Sequence, residues 1–279
     1  MHKLFAAMSL FALAILPQSL SAGEAWEEIK AALYEGRTII VDDALVSLDV
    51  PYRSPNDPRT MLGADVRAPI GEVIKSVTLI IDNNPMPVSA VFDLAQPQNQ
   101  FSFDATMRMN GQSPVRVVME TESGAIYMAE DYVKTYGQGA CAAPPGTDPK
   151  LALKTLGQME FAVVENAADA PLAKLASLSK PTASTAMNGT IRGEVSIMHP
   201  SHSGMQKDQI TLLYLPYRYV ETVDVSLDGQ PLFTLTGSIS LSENPAFDFD
   251  VPQGTGQVSV HLKDTEGAEF DKVFHLGQS

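Results

Sequence analysis

Short runs rich in Val, Ile, Phe and Tyr, separated by turn-forming pairs, recur along most of the chain, and no other feature restricts its fold as strongly. Each run suits a strand of about 5–10 residues better than a helix, because β-branched and aromatic side chains pack well on a pleated surface. A first set occupies residues 38–48, 73–81, 88–94, 101–109, 115–122 and 125–135, with breaks at Asn83-Asn84-Pro85, Asn110-Gly111 and Ser123-Gly124. Asn tolerates unusual backbone angles, Gly supplies positive φ and Pro fixes the next φ, so these breaks read as turns. Phe101-Ser102-Phe103-Asp104 and Val115-Arg116-Val117 alternate apolar and polar residues, which puts one face of a sheet in a core and the other toward water. An antiparallel sandwich follows.

A second set lies at 191–198, 209–215, 220–227, 231–236, 246–251, 256–263 and 268–275, punctuated by Asp228-Gly229 and Glu266-Gly267. This spacing predicts an immunoglobulin-like sandwich. Between the sets, residues 142–188 turn to Ala, Pro, Ser, Lys and Gly, with one helical candidate at 148–159 where Asp148 can cap and Pro149 can take the first helical position. Another short helix is predicted at 25–34. The connection is longer than an ordinary loop, so its stretch 159–164 is expected to pack on a domain. The fold class predicted is all-β, two immunoglobulin-like β-sandwich domains joined by a partly helical linker.

Charge and targeting narrow the function classes. The formal net charge of −14 repels phosphates, and no Lys/Arg cluster interleaved with aromatics is present, which argues against nucleic acid as a partner. His2 and Lys3, the apolar run 4–16 and Ser19-Leu20-Ser21-Ala22 have the form of a secretory signal peptide over residues 1–22. That run is shorter than the roughly 20 apolar residues of a membrane helix. A periplasmic product without a membrane anchor is expected, with an anchor starting at Leu4 as the alternative.

In an exported protein the cysteine count carries information, and here it is one, Cys141. No internal disulfide is possible. An unpaired thiol in an oxidising compartment is either buried as a small hydrophobe or used as a reactive group. No Lys, Arg or His lies between Thr135 and Asp148, so any activation of the thiol has to come from elsewhere in the fold.

Other chemistry is sparse. Gly-x-Ser-x-Gly, His-Glu-x-x-His and phosphate-cradling glycine motifs are absent, no cofactor is implied, and no conventional enzyme is predicted. Glu130-Asp131 and Glu120 with Glu122 fit solvated strand faces, and Met107 and Met109 fit a core. Met198-His199-Pro200-Ser201-His202-Ser203-Gly204-Met205 offers two imidazoles and two thioethers, a soft set that could take copper through His199, His202 and Met205. The competing account is a turn in which His199 bonds to backbone. His261 and His275 stand alone in β-like runs.

At the level of motifs the chain resembles two known families. Ile197-Met198-His199-Pro200, Ser203-Gly204-Met205-Gln206-Lys207-Asp208, Tyr219-Val220-Glu221, Asp228-Gly229, Gly237-Ser238-Ile239-Ser240 and Asn244-Pro245 are similar to SoxZ. Asp82-Asn83-Asn84-Pro85, Thr106-Met107-Arg108-Met109 and Gly137-Gln138-Gly139-Ala140-Cys141 are similar to SoxY. The fused arrangement resembles SoxYZ-like carriers associated with quinoprotein dehydrogenases. It implies a SoxY-like domain over 23–141, a linker over 142–188 and a SoxZ-like domain over 189–279. It also implies a carrier that takes sulfur-containing groups on Cys141, with Gly137 and Gly139 as a flexible segment, and that presents them to periplasmic redox enzymes. Such partners would be sulfur-oxidising proteins or a quinoprotein dehydrogenase. The family arm is a free C-terminus, whereas here Ala142-Ala143-Pro144-Pro145 follows and the chain continues, which favours presentation at a loop tip over a long swing. Alternatives are a noncovalent accessory or maturation factor for such a dehydrogenase, and copper binding.

Overall fold

The computed structural model describes residues 22–137, 139–164, 190–252, 254 and 256–277. Most of the segment read as a signal peptide, and all of residues 165–189, lie outside them. The first half contains helix α1 (Ala22–Tyr34) and strands β1 (Ile39–Val41), β2 (Val46–Asp49), β3 (Thr60–Arg67), β4 (Ile74–Ile81), β5 (Val88–Gln98), β6 (Gln100–Met107), β7 (Ser113–Thr121) and β8 (Ile126–Val133). Helix α2 (Pro149–Thr155) and β9 (Met159–Val164) follow. The second half adds β10 (Thr190–Ile197), β11 (Val220–Leu227), β12 (Gln230–Thr236), β13 (Ala246–Pro252), β14 (Gly256–Asp264) and β15 (Glu269–Leu276).

These strands form two sheets, in the orders β1-β8-β7-β4-β5-β12-β11-β14-β15 and β2-β3-β6-β13-β10-β9. Both sheets run through both halves. Val91–Leu94 of β5 pair antiparallel with Phe233–Thr236 of β12, and Phe103–Ala105 of β6 pair with Phe247–Phe249 of β13. The all-β immunoglobulin-like character is present, but the halves join edge to edge as one continuous sandwich, and each half thereby covers two strand edges of the other. Stretch 159–164 packs as expected: β9 extends the six-stranded sheet beside β10.

Continuity of the sheets makes the core continuous too. Phe92, Phe103, Phe233, Phe247 and Phe249 are buried in one cluster fed by both halves. The Phe92 ring centre lies 4.5 Å from that of Phe103 in a tilted pair and 5.7 Å from that of Phe233 edge to face, and Phe233 lies 5.1 Å from Phe249. Each such pair adds about 0.5–1.5 kcal/mol beyond the area it buries. A second cluster lies on the outer face of the nine-stranded sheet, where Trp26 and Tyr34 of α1 cover Ile80, Val118, Ile126 and Met128. Beneath Trp26, at 4.3 Å from its ring, is the guanidinium of Arg116, which is paired with buried Asp82 at 2.9 Å and with Glu130. Glu130 is therefore part of an ion-pair network and not simply a solvated acid.

Two local expectations are corrected, and one strand was missed. Stretch 38–48 is two strands in different sheets, because the Asp42 side chain accepts from Ala44 and Leu45 N–H and turns the chain between β1 and β2. Stretch 209–215 is not a strand: Asp208 Oδ1 accepts from Ile210 and Thr211 N–H and folds it into a turn, leaving only an isolated bridge between Lys207 and Tyr214. Strand β3 was not legible, since Gly63-Ala64-Asp65 weakens its pattern.

On the outer face of the six-stranded sheet, Asp104, Asp248 and Glu194 stand opposite one another in register on β6, β13 and β10. Gly63 is opposite Asp104, where a Cβ would collide with the Asp104 carboxylate and lie 2.6 Å from Phe103 O. Arg192 is the cation of this face, with Nη2 2.5 Å from Asp104 and Nη1 3.4 Å from Asp250. Asp248 is 7% exposed and its Oδ1 lacks a hydrogen-bond partner. Burial, reinforced by repulsion from Asp104 and Glu194 and opposed by Arg192, pushes it up to about 8.

Candidate functional site at the seam

Cys141 follows β8 in a segment that turns inward. Gly137 and Gly139 adopt φ of 77° and 66°, in the left-handed region that glycine enters without steric cost. Ala142 N–H donates to Gly139 O at 2.9 Å and tightens the turn. Ala140 and Cys141 are consequently buried, the latter with 0% exposure. The expected loop-tip presentation of the thiol is not what the structure holds. The reason is that polar groups from both halves fasten this backbone.

From the first half, Asn110 Oδ1 accepts from Cys141 N–H at 3.3 Å. Asn110 is itself set by Asn84, whose Oδ1 accepts from Asn110 N–H at 2.9 Å and whose Nδ2 donates to Arg108 O at 2.7 Å and Ser240 Oγ at 3.0 Å. From the second half, the Ser203 hydroxyl donates to Cys141 O. Ser203 is fixed by Met205 N–H, which donates to its Oγ, and by Gln206 Oε1, which accepts from its N–H. Farther along, both carboxylate oxygens of Glu243 accept from Gly146 and Thr147 N–H at 2.8 and 2.9 Å. The cysteine segment is thus held between the halves by side chains from each.

Arg108 is the charged group coupled to the thiol. It is 2% exposed, its N–H donates to Ser240 O at 2.7 Å, and its Nη1 donates to Ile239 O at 3.1 Å and to Leu241 O. Burial pushes the Cys141 thiol up to about 11, with Arg108 pulling the other way. Burial likewise pushes Arg108 down to about 10, countered by Cys141 and Glu243. The cation absent from the sequence around Cys141 therefore arrives from β6 and its following turn. A basic residue among the apolar residues at the end of a predicted strand, Thr106-Met107-Arg108-Met109, was its one sequence signal.

The histidine segment lies on the same side of the molecule. His199 Nδ1 accepts from Ser201 N–H at 2.9 Å, which leaves the proton on Nε2, 3.5 Å from Asp264 Oδ2. Burial lowers His199 to about 4, so it is neutral at neutral pH. Nδ1 is thus engaged in the turn that His199 was expected to form, and its buried Nε2 has no hydrogen-bond partner. His202 is pushed down by burial, is charge-coupled to Glu243 and Arg108, and has a buried Nε2 without a hydrogen-bond partner. Met205 enters through its N–H to Ser203. Among the described residues, no group of three or more His, Cys, Asp or Glu is placed to hold a metal ion, and no helix is long and apolar enough to cross a membrane.

Comparison with known proteins divides the chain at this site. Residues 30–141 match the family described as sulfur oxidation protein SoxY, and residues 179–275 match sulphur oxidation protein SoxZ. Among solved structures, the chain is similar to the sulfur carrier protein SoxY from Chlorobium limicola f thiosulfatophilum, with 18% identity and a TM-score of 0.34 over 40% of this chain and 97% of that one. It is also similar to a beta-glycosidase from Bacteroides vulgatus, with 10% identity and a TM-score of 0.21 over 83% of this chain and 24% of that one. No curated protein matches the chain. With a SoxY region followed by a SoxZ region in one polypeptide, the chain belongs to the fused SoxYZ-like proteins.

Proposed function

We propose that the protein is a periplasmic carrier that holds a sulfur-containing group covalently on Cys141 and presents it to redox enzymes, either sulfur-oxidising proteins or a quinoprotein dehydrogenase. Its SoxY and SoxZ regions support a carrier role in sulfur oxidation. One observation carries the finer reading: the single cysteine is the last residue of the SoxY-matching region and is fastened by side chains of both halves. The reaction chemistry belongs to the partners, and the carrier contributes a thiol, a place to hide it and a means of release.

The resting site is closed. A thiol near 11 exists as thiolate in about one molecule in ten thousand at neutral pH. Loading and transfer therefore require the segment to leave the seam, with Gly137 and Gly139 as pivots and the Asn110 and Ser203 hydrogen bonds as the contacts to break. Those bonds contribute about 1 kcal/mol each, an amount that partner docking can offset. Enclosure also suits cargo, because a buried persulfide or related adduct is shielded from water and stray thiols.

The intact mass of the mature protein from its native source, before and after reduction and with peptide mapping around Cys141, tests this reading. A reducible sulfur adduct on Cys141, with loss of pathway activity in Cys141→Ser at unchanged folding, is the expected result. A variant that folds and fully supports the partner's activity overturns it and leaves the second reading, a noncovalent accessory factor, which the complete burial of the thiol favours.

A further inference from the structure

Three arginines are buried among the described residues, Arg108, Arg116 and Arg192. Arg116 is neutralised by Asp82 and Glu130, and Arg192 by Asp104 and Asp250. Arg108, the most deeply buried of the three, makes no ion pair with a described residue. The acid coupled to it, Glu243, has both carboxylate oxygens engaged by Gly146 and Thr147 N–H. Backbone carbonyls of Ile239 and Leu241 aim the guanidinium but bring only dipoles. A buried guanidinium with no carboxylate in contact is costly to hold, and an anion brought against it in some state of the molecule would offset that cost. His202, charge-coupled to Arg108, adds a buried ring nitrogen without a partner.

We propose that Arg108 is an anion site dedicated to Cys141: it receives the negative charge of a group carried on the cysteine sulfur and so selects anionic over neutral or cationic cargo. This rests on the reading of Cys141 as the carrier residue. With the thiol uncharged, the Arg108 guanidinium meets carbonyl dipoles and no carboxylate in contact, while Asn84, bonded to Arg108 O and to Asn110 N–H, ties it to the residue that holds Cys141 N–H. A cysteine bearing an anionic persulfide or a sulfonate-terminated group supplies the missing charge within the seam. The second half takes part because its carbonyls at 239 and 241 orient the guanidinium, so the selectivity depends on the two halves being joined. Arg108 is in this sense a positioning and specificity residue, not a nucleophile.

Methanethiosulfonate reagents of one size and different charge measure this directly on the full chain. The Cys141 thiol loses its proton to solvent, its sulfur attacks the sulfenyl sulfur of the reagent, the reagent's sulfur–sulfur bond breaks, and methanesulfinate leaves. The rates for the 2-sulfonatoethyl and 2-trimethylammonioethyl reagents, each divided by the rate with an unstructured cysteine peptide, give a charge-preference ratio, and intact mass confirms single labelling. We expect the anionic reagent to be preferred by about tenfold or more at physiological ionic strength. The net charge of −14 by itself favours the cation, so the two accounts predict opposite orders. Arg108→Lys should retain the preference and Arg108→Gln should abolish it. A cation preference in the unmodified chain, a ratio unchanged in a folded Arg108→Gln, or failure of every reagent to label Cys141 overturns the proposal. If Arg108→Gln does not fold, the order in the unmodified chain decides. Labelling does not depend on native cargo, so an absent adduct in the native protein would remove the carrier reading while the ratio still reports on Arg108.

Discussion

Replacing Asp248 with Asn should stabilise the protein in a pH-dependent way. Asp248 is buried on β13 between Asp104 and Glu194, faces Asp250 and Arg192 on the same surface, and is pushed up to about 8, while Asp49 across the sheet is pushed up to about 6 by burial, Asp104 and Asp65. In the unfolded chain an aspartate releases its proton near 3.9. Between about pH 4 and about pH 8 the folded protein keeps a proton at Asp248 that the unfolded chain has lost, so stability falls as pH rises through that window and levels off above it. The interval from 3.8 to about 8 sets a ceiling of about 6 kcal/mol. An effective dielectric nearer 20 than 4 reduces the expected effect to about 2–3 kcal/mol. Asn keeps the shape, stays neutral, and can donate its amide to Asp104 or Glu194. Urea denaturation of both proteins at constant ionic strength should give near-equal stabilities at about pH 4, and an advantage of about 2–3 kcal/mol for Asp248→Asn at about pH 8, with similar m-values. A stability difference that does not change with pH would show that Asp248 ionises normally in the folded state and would refute the reasoning.

Two further outcomes follow from the packing. Arg116→Met should cost about 3–5 kcal/mol by chemical denaturation, because it leaves Asp82 buried without its cation beneath Trp26, and the double replacement Arg116→Met with Asp82→Asn should recover part of that loss. Gly63→Ala should destabilise by about 2 kcal/mol or more, since the new methyl meets the Asp104 carboxylate and the Phe103 carbonyl oxygen; thermal unfolding of the variant, compared with Gly111→Ala, where a Cβ meets open space and φ is not positive, measures it.

The strand set illustrates how much was legible. Strands β4 to β8 and β10 to β15 lie within a few residues of their predicted runs, because period-two patterning and turn pairs are local properties of the chain. Helix α2 starts as predicted, with Asp148 Oδ1 accepting from Lys150 and Leu151 N–H. Strand β3 escaped because its glycine is dictated by a carboxylate on the neighbouring strand. Stretch 209–215 misled because its apolar residues face water: Ile210, Leu212 and Leu213 are exposed. At the site, the sequence singled out Cys141, Gly137 and Gly139, and it read His199 as a turn residue; Arg108, Asn110 and Ser203 were not identified.

By itself, the sequence determined the all-β class, the order of the two strand sets, the single thiol and the absence of a cation beside it in the chain. Only tertiary structure decided that the halves share both sheets, that the thiol is enclosed, and that the cation acting on it is Arg108. The division has a physical cause. Strand periodicity is written in neighbours one and two residues apart, whereas Cys141 meets partners 31 and 62 residues away through Asn110 and Ser203. Such meetings are fixed by which strand edges pair, and the pairing of β5 with β12 and of β6 with β13 joins residues whose separation in sequence carries no periodic signal.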